Sequence, residues 1–141
     1  MARSLIFSFF FLLLIKSYSQ TGKLIVLVQD INAAKGGELS TGIFLKENFP
    51  KVGKQLLGSE TTITANPMQI VFEKVPIGTY GVVSFQDIDR DKKLKTNWVG
   101  FPIEPIGFSR DAKIKFGPPD FNDAKITIEA NKTLNLTITL K

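Results

Sequence analysis

From Thr133 to Leu140 the chain alternates strictly. Leu134, Leu136, Ile138 and Leu140 fall on one parity, and Thr133, Asn135, Thr137 and Thr139 on the other. Only an extended strand puts every second side chain on the same face, so this stretch reads as a strand with one face on a core and a Thr-rich face in solvent. A sheet carrying it is covered on one side. Ile126 and Ile128 repeat the pattern on a shorter scale, and Asn131-Lys132 supplies a turn, so the C-terminus reads as a hairpin.

The preceding residues read as further strands rather than helices. Leu24 to Val28 is a continuous apolar run, short and partly β-branched, as expected of a buried strand. Asn32, Gly36 and Gly37 mark a loop, and Ile43 to Leu45 suggests a second strand, antiparallel to the first. Phe49, Val52 and Leu56 have helical spacing, but Gly53 and Pro50 interrupt it, which leaves one short helix or an irregular crossover over 47–57. Thr61 to Thr64 is β-prone, Asn66-Pro67 breaks it, and Met68 to Phe72 resumes as a strand. In the pattern Phe72-x-x-Val75-Pro76-x-Gly78-x-Tyr80, Pro fixes φ and Gly accepts the positive φ of a type II turn, so it reads as a tight link into a strand Tyr80 to Phe85. That strand is apolar on both parities and is therefore central. About seven short strands with regular turn signals predict an all-β fold, an antiparallel β-sandwich, with an open barrel as the alternative.

The N-terminus carries an address. Arg3, an apolar run from Leu5 to Ile15 and the small residues Ser17 and Ser19 form the pattern of a secretory signal peptide cut after Ser19. A bilayer-spanning helix needs about 20 apolar residues, more than this run supplies. The expectation is a leader over residues 1–19 and a single domain over 20–141, exported to the periplasm or the extracellular space, with no transmembrane anchor once the leader is removed. Loss of Arg3 and Lys16 lowers the formal charge from +5 to +3. That mild excess, spread along the chain, argues against nucleic-acid binding.

Cysteine and histidine are both absent. Their absence excludes Ser-His-Asp and Cys-His nucleophile pairs and thiolate or imidazole zinc sites, so any metal site must be built from oxygen. Asp87, Asp89 and Asp91, two residues apart, occupy the first three ligand positions of a calcium loop. In an EF-hand the sixth position is Gly and the twelfth a bidentate Glu, whereas here they are Lys92 and Trp98. Arg90, Lys92, Lys93 and Lys95 outnumber the three carboxylates. Calcium is the one candidate cofactor, weighed against a solvated loop whose charges pair locally.

The next segment is rich in Gly, Pro and Phe. Trp98, Phe101, Phe108, Phe116 and Phe121 could line a groove for a small apolar ligand, a glycan or a protein segment, with Glu104 as its polar group. The plainer reading is that these rings plug the open end of the sandwich. Glu104, Asp111, Asp120 and Asp123 could supply a carboxylate pair for glycoside hydrolysis, on spacing alone.

Two stretches resemble known families. The Phe72 to Tyr80 turn is loosely similar to that of transthyretin-like and carboxypeptidase-regulatory-like sandwich domains. The longer pattern is more specific: Asp87-x-Asp89-x-Asp91, then Leu94, then Gly100-x-Pro102-x-Glu104-x-x-Gly107-Phe108-Ser109, then Phe116-Gly117-Pro118-Pro119-x-Phe121-x-x-Ala124. It resembles the secreted bacterial family called domain of unknown function 2141. The resemblance implies an exported β-sandwich of no settled activity. In that family the acidic loop usually reads Asp-x-Asn-x-Asn-Gly-x-Leu-Asp, so Lys92 stands in place of the Gly and Lys95 in place of the closing Asp. The expectation is a binding or accessory module working through residues 87–121 and not an enzyme. The alternatives are a calcium-stabilised structural domain and a carboxylate-based hydrolase.

Overall fold

The computed structural model describes residues 19–141, so the leader expected over residues 1–19 lies outside the described residues save for Ser19. Eight strands form among them: β1 (Thr21–Gln29), β2 (Glu38–Phe44), β3 (Leu57–Thr62), β4 (Met68–Pro76), β5 (Gly78–Asp87), β6 (Ile106–Phe108), β7 (Ile126–Ile128) and β8 (Thr133–Thr139), with one short helix, α1 (Phe121–Ala124). They make two sheets, one ordered β4-β1-β8 and the other β3-β2-β5-β6 with β7 also on β5. The fold is a β-sandwich. Residues 47–57 are the irregular crossover, entered by a single 3-10 turn at Lys46–Asn48.

The strand faces follow the sequence, whereas three of the pairings do not. β1 and β2 are not neighbours. They lie in opposite sheets, and β1 is flanked by β4 and by β8, the latter parallel to it. The loop between β1 and β2 turns through Asp30, Gly36 and Gly37, all at positive φ. A Cβ on Gly37 would lie 2.3 Å from the Asp87 carbonyl oxygen, so the chain crosses from one sheet to the other hard against the end of β5.

The Phe72 to Tyr80 pattern does join two strands, but it also changes sheets. Ile77 alone separates β4 from β5, and Gly78 has φ 157°, not the φ near +80° of a type II turn. The Tyr80 hydroxyl donates to the Pro76 carbonyl at 2.9 Å and so ties the bend from inside.

The expected C-terminal hairpin is likewise split, with β7 on β5 and β8 on β1. The turn at Asn131 straddles the start of β1: Asn131 N donates to Thr21 O at 2.9 Å, and Lys23 N donates to Lys132 O at 2.9 Å. Gly22 leaves room for it, since a Cβ there would stand 2.4 Å from Glu129 O. The turn satisfies its hydrogen bonds on β1, so β7 and β8 part to opposite sheets.

Between the sheets lie Leu24, Val26, Val28, Leu39, Ile43, Val82 and Ile138, all buried. Thr133 and Thr137 on the outer face of β8 are exposed, as the alternation requires. The second sheet is different. Its outer face carries its own core of Phe44, Val83, Phe85, Ile106 and Phe108, covered by Phe49, Ala124 and the loops around them. Phe49 meets Phe44, Phe108 and Phe121 edge-on, with ring centroids 6.3, 6.2 and 5.8 Å apart. β5 is buried on both faces because the 47–57 crossover, through Phe49, and the segment after β5 fold over the outer face of its sheet.

Candidate functional site

That returning segment begins with the acidic loop. Asp87, the last residue of β5, is 1% exposed. Its Oδ1 accepts from Asp91 N at 3.3 Å and its Oδ2 from Lys92 N at 2.8 Å. The loop closes around this carboxylate with Arg90 and Lys92 at positive φ, so Lys92 adopts the backbone conformation that glycine takes most readily. Asp91 Oδ1 accepts from Lys93 N at 2.9 Å. Asp89 is ion-paired with Lys95, and Lys92 Nζ lies 3.2 Å from Glu60. The Lys95 ammonium, by hydrogen bond first, holds the Asp89 carboxyl below its ordinary range, and Asp89 in turn raises Lys95.

The three aspartates come together as the sequence suggested, with one carboxylate oxygen from each within 4.8 Å of the others. Calcium takes six to eight oxygens. Here Asp87 spends both oxygens on backbone amides, Asp89 carries an ammonium, and Trp98 at the twelfth position offers no ligand. Lys95 brings one positive charge to this cluster, on Asp89.

A short hairpin follows, residues 95–103. Ile103 N donates to Lys95 O at 2.9 Å, Asn97 N to Phe101 O at 2.8 Å and Gly100 N to Asn97 O at 3.0 Å. The Asn97 carboxamide oxygen accepts from Val99 N and Phe101 N, a side chain copying a backbone turn. Trp98 therefore stands at the apex of a turn fixed by five hydrogen bonds, and it is 94% exposed. Glu104, 5% exposed, pins the base of the hairpin: Oε1 accepts from Ile88 N and Oε2 from Lys95 N, both at 3.0 Å.

Between this hairpin and residues 114–118 opens a cleft of about 340 Å³. Buried Ile106 and Phe108 line its floor, half-buried Leu94, Ile114 and Pro50 line it further out, and exposed Phe101 and Phe116 stand at its mouth. None of its lining residues carries a charge. Phe116 is fully exposed and Phe101 half-exposed, while Phe108 is buried.

Of the residues proposed from sequence, Phe101, Phe108 and Phe116 share this cleft. Trp98 stands one residue outside it, beside Val99. Phe121 does not reach it and packs on Phe49. Glu104 faces the backbone of the acidic loop and not the cleft. None of Glu104, Asp111, Asp120 and Asp123 lines the cleft, and Asp111 accepts from Thr139 N at 3.2 Å. Ser109, a second buried polar group, donates to the Ala124 carbonyl and accepts from Val82 N, tying α1 to β5. Sequence reasoning missed Pro50, Leu94, Ile106 and Ile114. Pro50 is far away in the chain, and the others lack the visibility of aromatic rings.

The model of a family described as an uncharacterized protein conserved in bacteria, DUF2141, matches residues 26–135. The chain belongs to this family. The match runs from within β1 into β8 and includes the acidic loop, the hairpin and the cleft, so the site just described lies inside the DUF2141 region. No curated protein and no solved structure matches the chain. Among the described residues no helix of this DUF2141 protein is long and apolar enough to cross a membrane.

Proposed function

We propose that this protein is an exported, non-catalytic binding module that takes an apolar group into the cleft under the 95–103 hairpin, with Trp98 as an outer anchor. One observation carries the reading: Phe116 is fully in water at the mouth of an uncharged cleft, and Trp98, 94% exposed, stands one residue beyond the cleft lining at Val99. Apolar surface held in water costs roughly 25 cal/mol per Å², so a partner that covers these rings gains what folding left unused. A volume of about 340 Å³ falls at the lower end of small-ligand pockets. A lining without charge or paired carboxylates suits an apolar group better than a glycan, and offers no acid and base for hydrolysis.

The test is uptake of the dye 1-anilinonaphthalene-8-sulfonate by the native protein. Its fluorescence should rise on binding and fall toward baseline in Phe116→Ala, with the melting midpoint unchanged. Native protein that takes up no dye, or takes it up equally well without Phe116, rules the cleft out.

A calcium-stabilised structural domain is the second reading, favoured by the convergence of Asp87, Asp89 and Asp91. Lys95 weighs against it, because a divalent ion would have to displace an ammonium group already paired with Asp89.

A further inference from the structure

We infer that the mouth of the cleft is a membrane-docking face, on which Trp98 and Phe116 enter the interface of an anionic lipid bilayer while the neighbouring lysines meet its headgroups. The inference rests on the cleft reading above and names the partner.

The exposed apolar side chains are concentrated there. Leu56, Val71 and Ile77 are scattered elsewhere, but Trp98, Val99, Phe101, Ile103 and Phe116 all sit on the two segments that border the cleft. Aromatic rings with one polar edge, Trp above all, favour the headgroup level of a bilayer.

Charge supplies the second, independent observation. From Lys93 to Pro118 the sequence holds Lys93, Lys95, Arg110, Lys113 and Lys115 against only Glu104 and Asp111. Glu104 is buried on two backbone amides, and Asp111, though exposed, accepts from the Thr139 amide. Lys113 and Lys115 flank Ile114 of the cleft, are exposed, and make no ion pair among the described residues. In the nearby acidic loop Lys95 is paired with Asp89, which lowers the repulsion that loop offers to an anionic surface.

A protein partner fits less well. Lysine is depleted at protein–protein interfaces, whereas aromatic tips with lysines on the same segments suit a negatively charged bilayer. A small ligand confined to the cleft would leave Trp98 uncovered. The hairpin is fixed by its own hydrogen bonds, so inserting its tip orders little that is not ordered already.

The experiment is co-sedimentation of the purified protein with vesicles of phosphatidylglycerol and phosphatidylcholine in equal parts, and with phosphatidylcholine alone. Trp98 is the one tryptophan of the chain, so its emission reports insertion directly. Binding to the mixed vesicles should be tighter than to phosphatidylcholine, weaken with salt, and shift Trp98 emission to the blue. Lys113→Ala and Lys115→Ala should each lower the affinity roughly fivefold, and Trp98→Ala with Phe116→Ala should abolish sedimentation without changing the melting midpoint. No sedimentation of the native protein with the mixed vesicles overturns the inference. So does sedimentation indifferent to these substitutions, or self-association through the same tips without vesicle binding. If vesicles fail while dye uptake still depends on Phe116, the docking inference falls and the cleft reading stands. If both fail, both fall.

Discussion

Lys95 lays its ammonium group on the carboxylate of Asp89 and closes the acidic loop with a charge from the chain itself. Thermal unfolding should therefore be the same in calcium and in chelator, since a saturating ion bound only by the native state would raise the midpoint by several degrees. Lys95→Asp removes the internal cation and adds an oxygen ligand. That variant should melt lower than the native protein in chelator and recover in millimolar calcium. A midpoint of the native protein that rises with calcium would show that the ion outcompetes Lys95.

The same pair sets a pH dependence. Asp89 ionises below its ordinary 3.8, so its contribution is complete above that value and is lost as pH falls through the lowered folded value. Lys95 is raised above 10.5, so its contribution is complete below 10.5 and is lost as pH rises through the raised folded value. Both groups are exposed and water screens them, so the effect on stability is small. It is best read by carbon NMR of the Asp89 carboxyl, which should titrate below 3.8 in the native protein and return toward that value in Lys95→Gln.

Glu104 connects the acidic loop to the hairpin through one carboxylate and two amides. Glu104→Ala should lower unfolding stability by about 2 kcal/mol, the scale of hydrogen bonds to a charged group. Urea unfolding measures it. If Glu104 instead served a ligand or a catalytic step, its removal would leave the fold's stability nearly unchanged.

Phe49 and Trp98 should behave as opposites. Phe49→Ala opens a hole among Phe44, Phe108 and Phe121 and should cost about 3–5 kcal/mol. Gly81→Ala should also destabilise, since its Cβ would stand 2.4 Å from the Phe49 ring. Trp98→Ala, at an exposed turn apex, should change stability by less than about 0.5 kcal/mol. Denaturant midpoints of the three variants on one protein background check the contrast.

Strand identity was readable along most of the chain because a strand's two faces are written at period two, although β3 (Leu57–Thr62) begins four residues before the stretch Thr61 to Thr64 that reads as β-prone. Leu134 to Leu140 faces the core and Thr133 and Thr137 face water, and the apolar run of β5 marks a strand buried on both sides. The acidic loop and the aromatic segment were visible as residue types at fixed spacing. β6 was missed because three residues, Ile106–Phe108, are too few to show a period.

Partners were a different matter. Alternation says which way a side chain points and nothing about which strand lies alongside, so the hairpin expected from Ile126 to Leu140 could not be told from two strands sent to opposite sheets. That choice involves Gly22, where a missing Cβ lets the backbone of Glu129 approach, as Gly37 does for the end of β5 where the chain passes from β1 to β2. The phenylalanines show the same limit. Phe108, Phe116 and Phe121 are identical in sequence and equally apolar, yet one floors the cleft, one stands in water at its mouth and one packs on Phe49. Burial is a property of what surrounds a side chain, and for these rings the surroundings come from residues 49–52 and 94–114, assembled by long-range packing that no local pattern records.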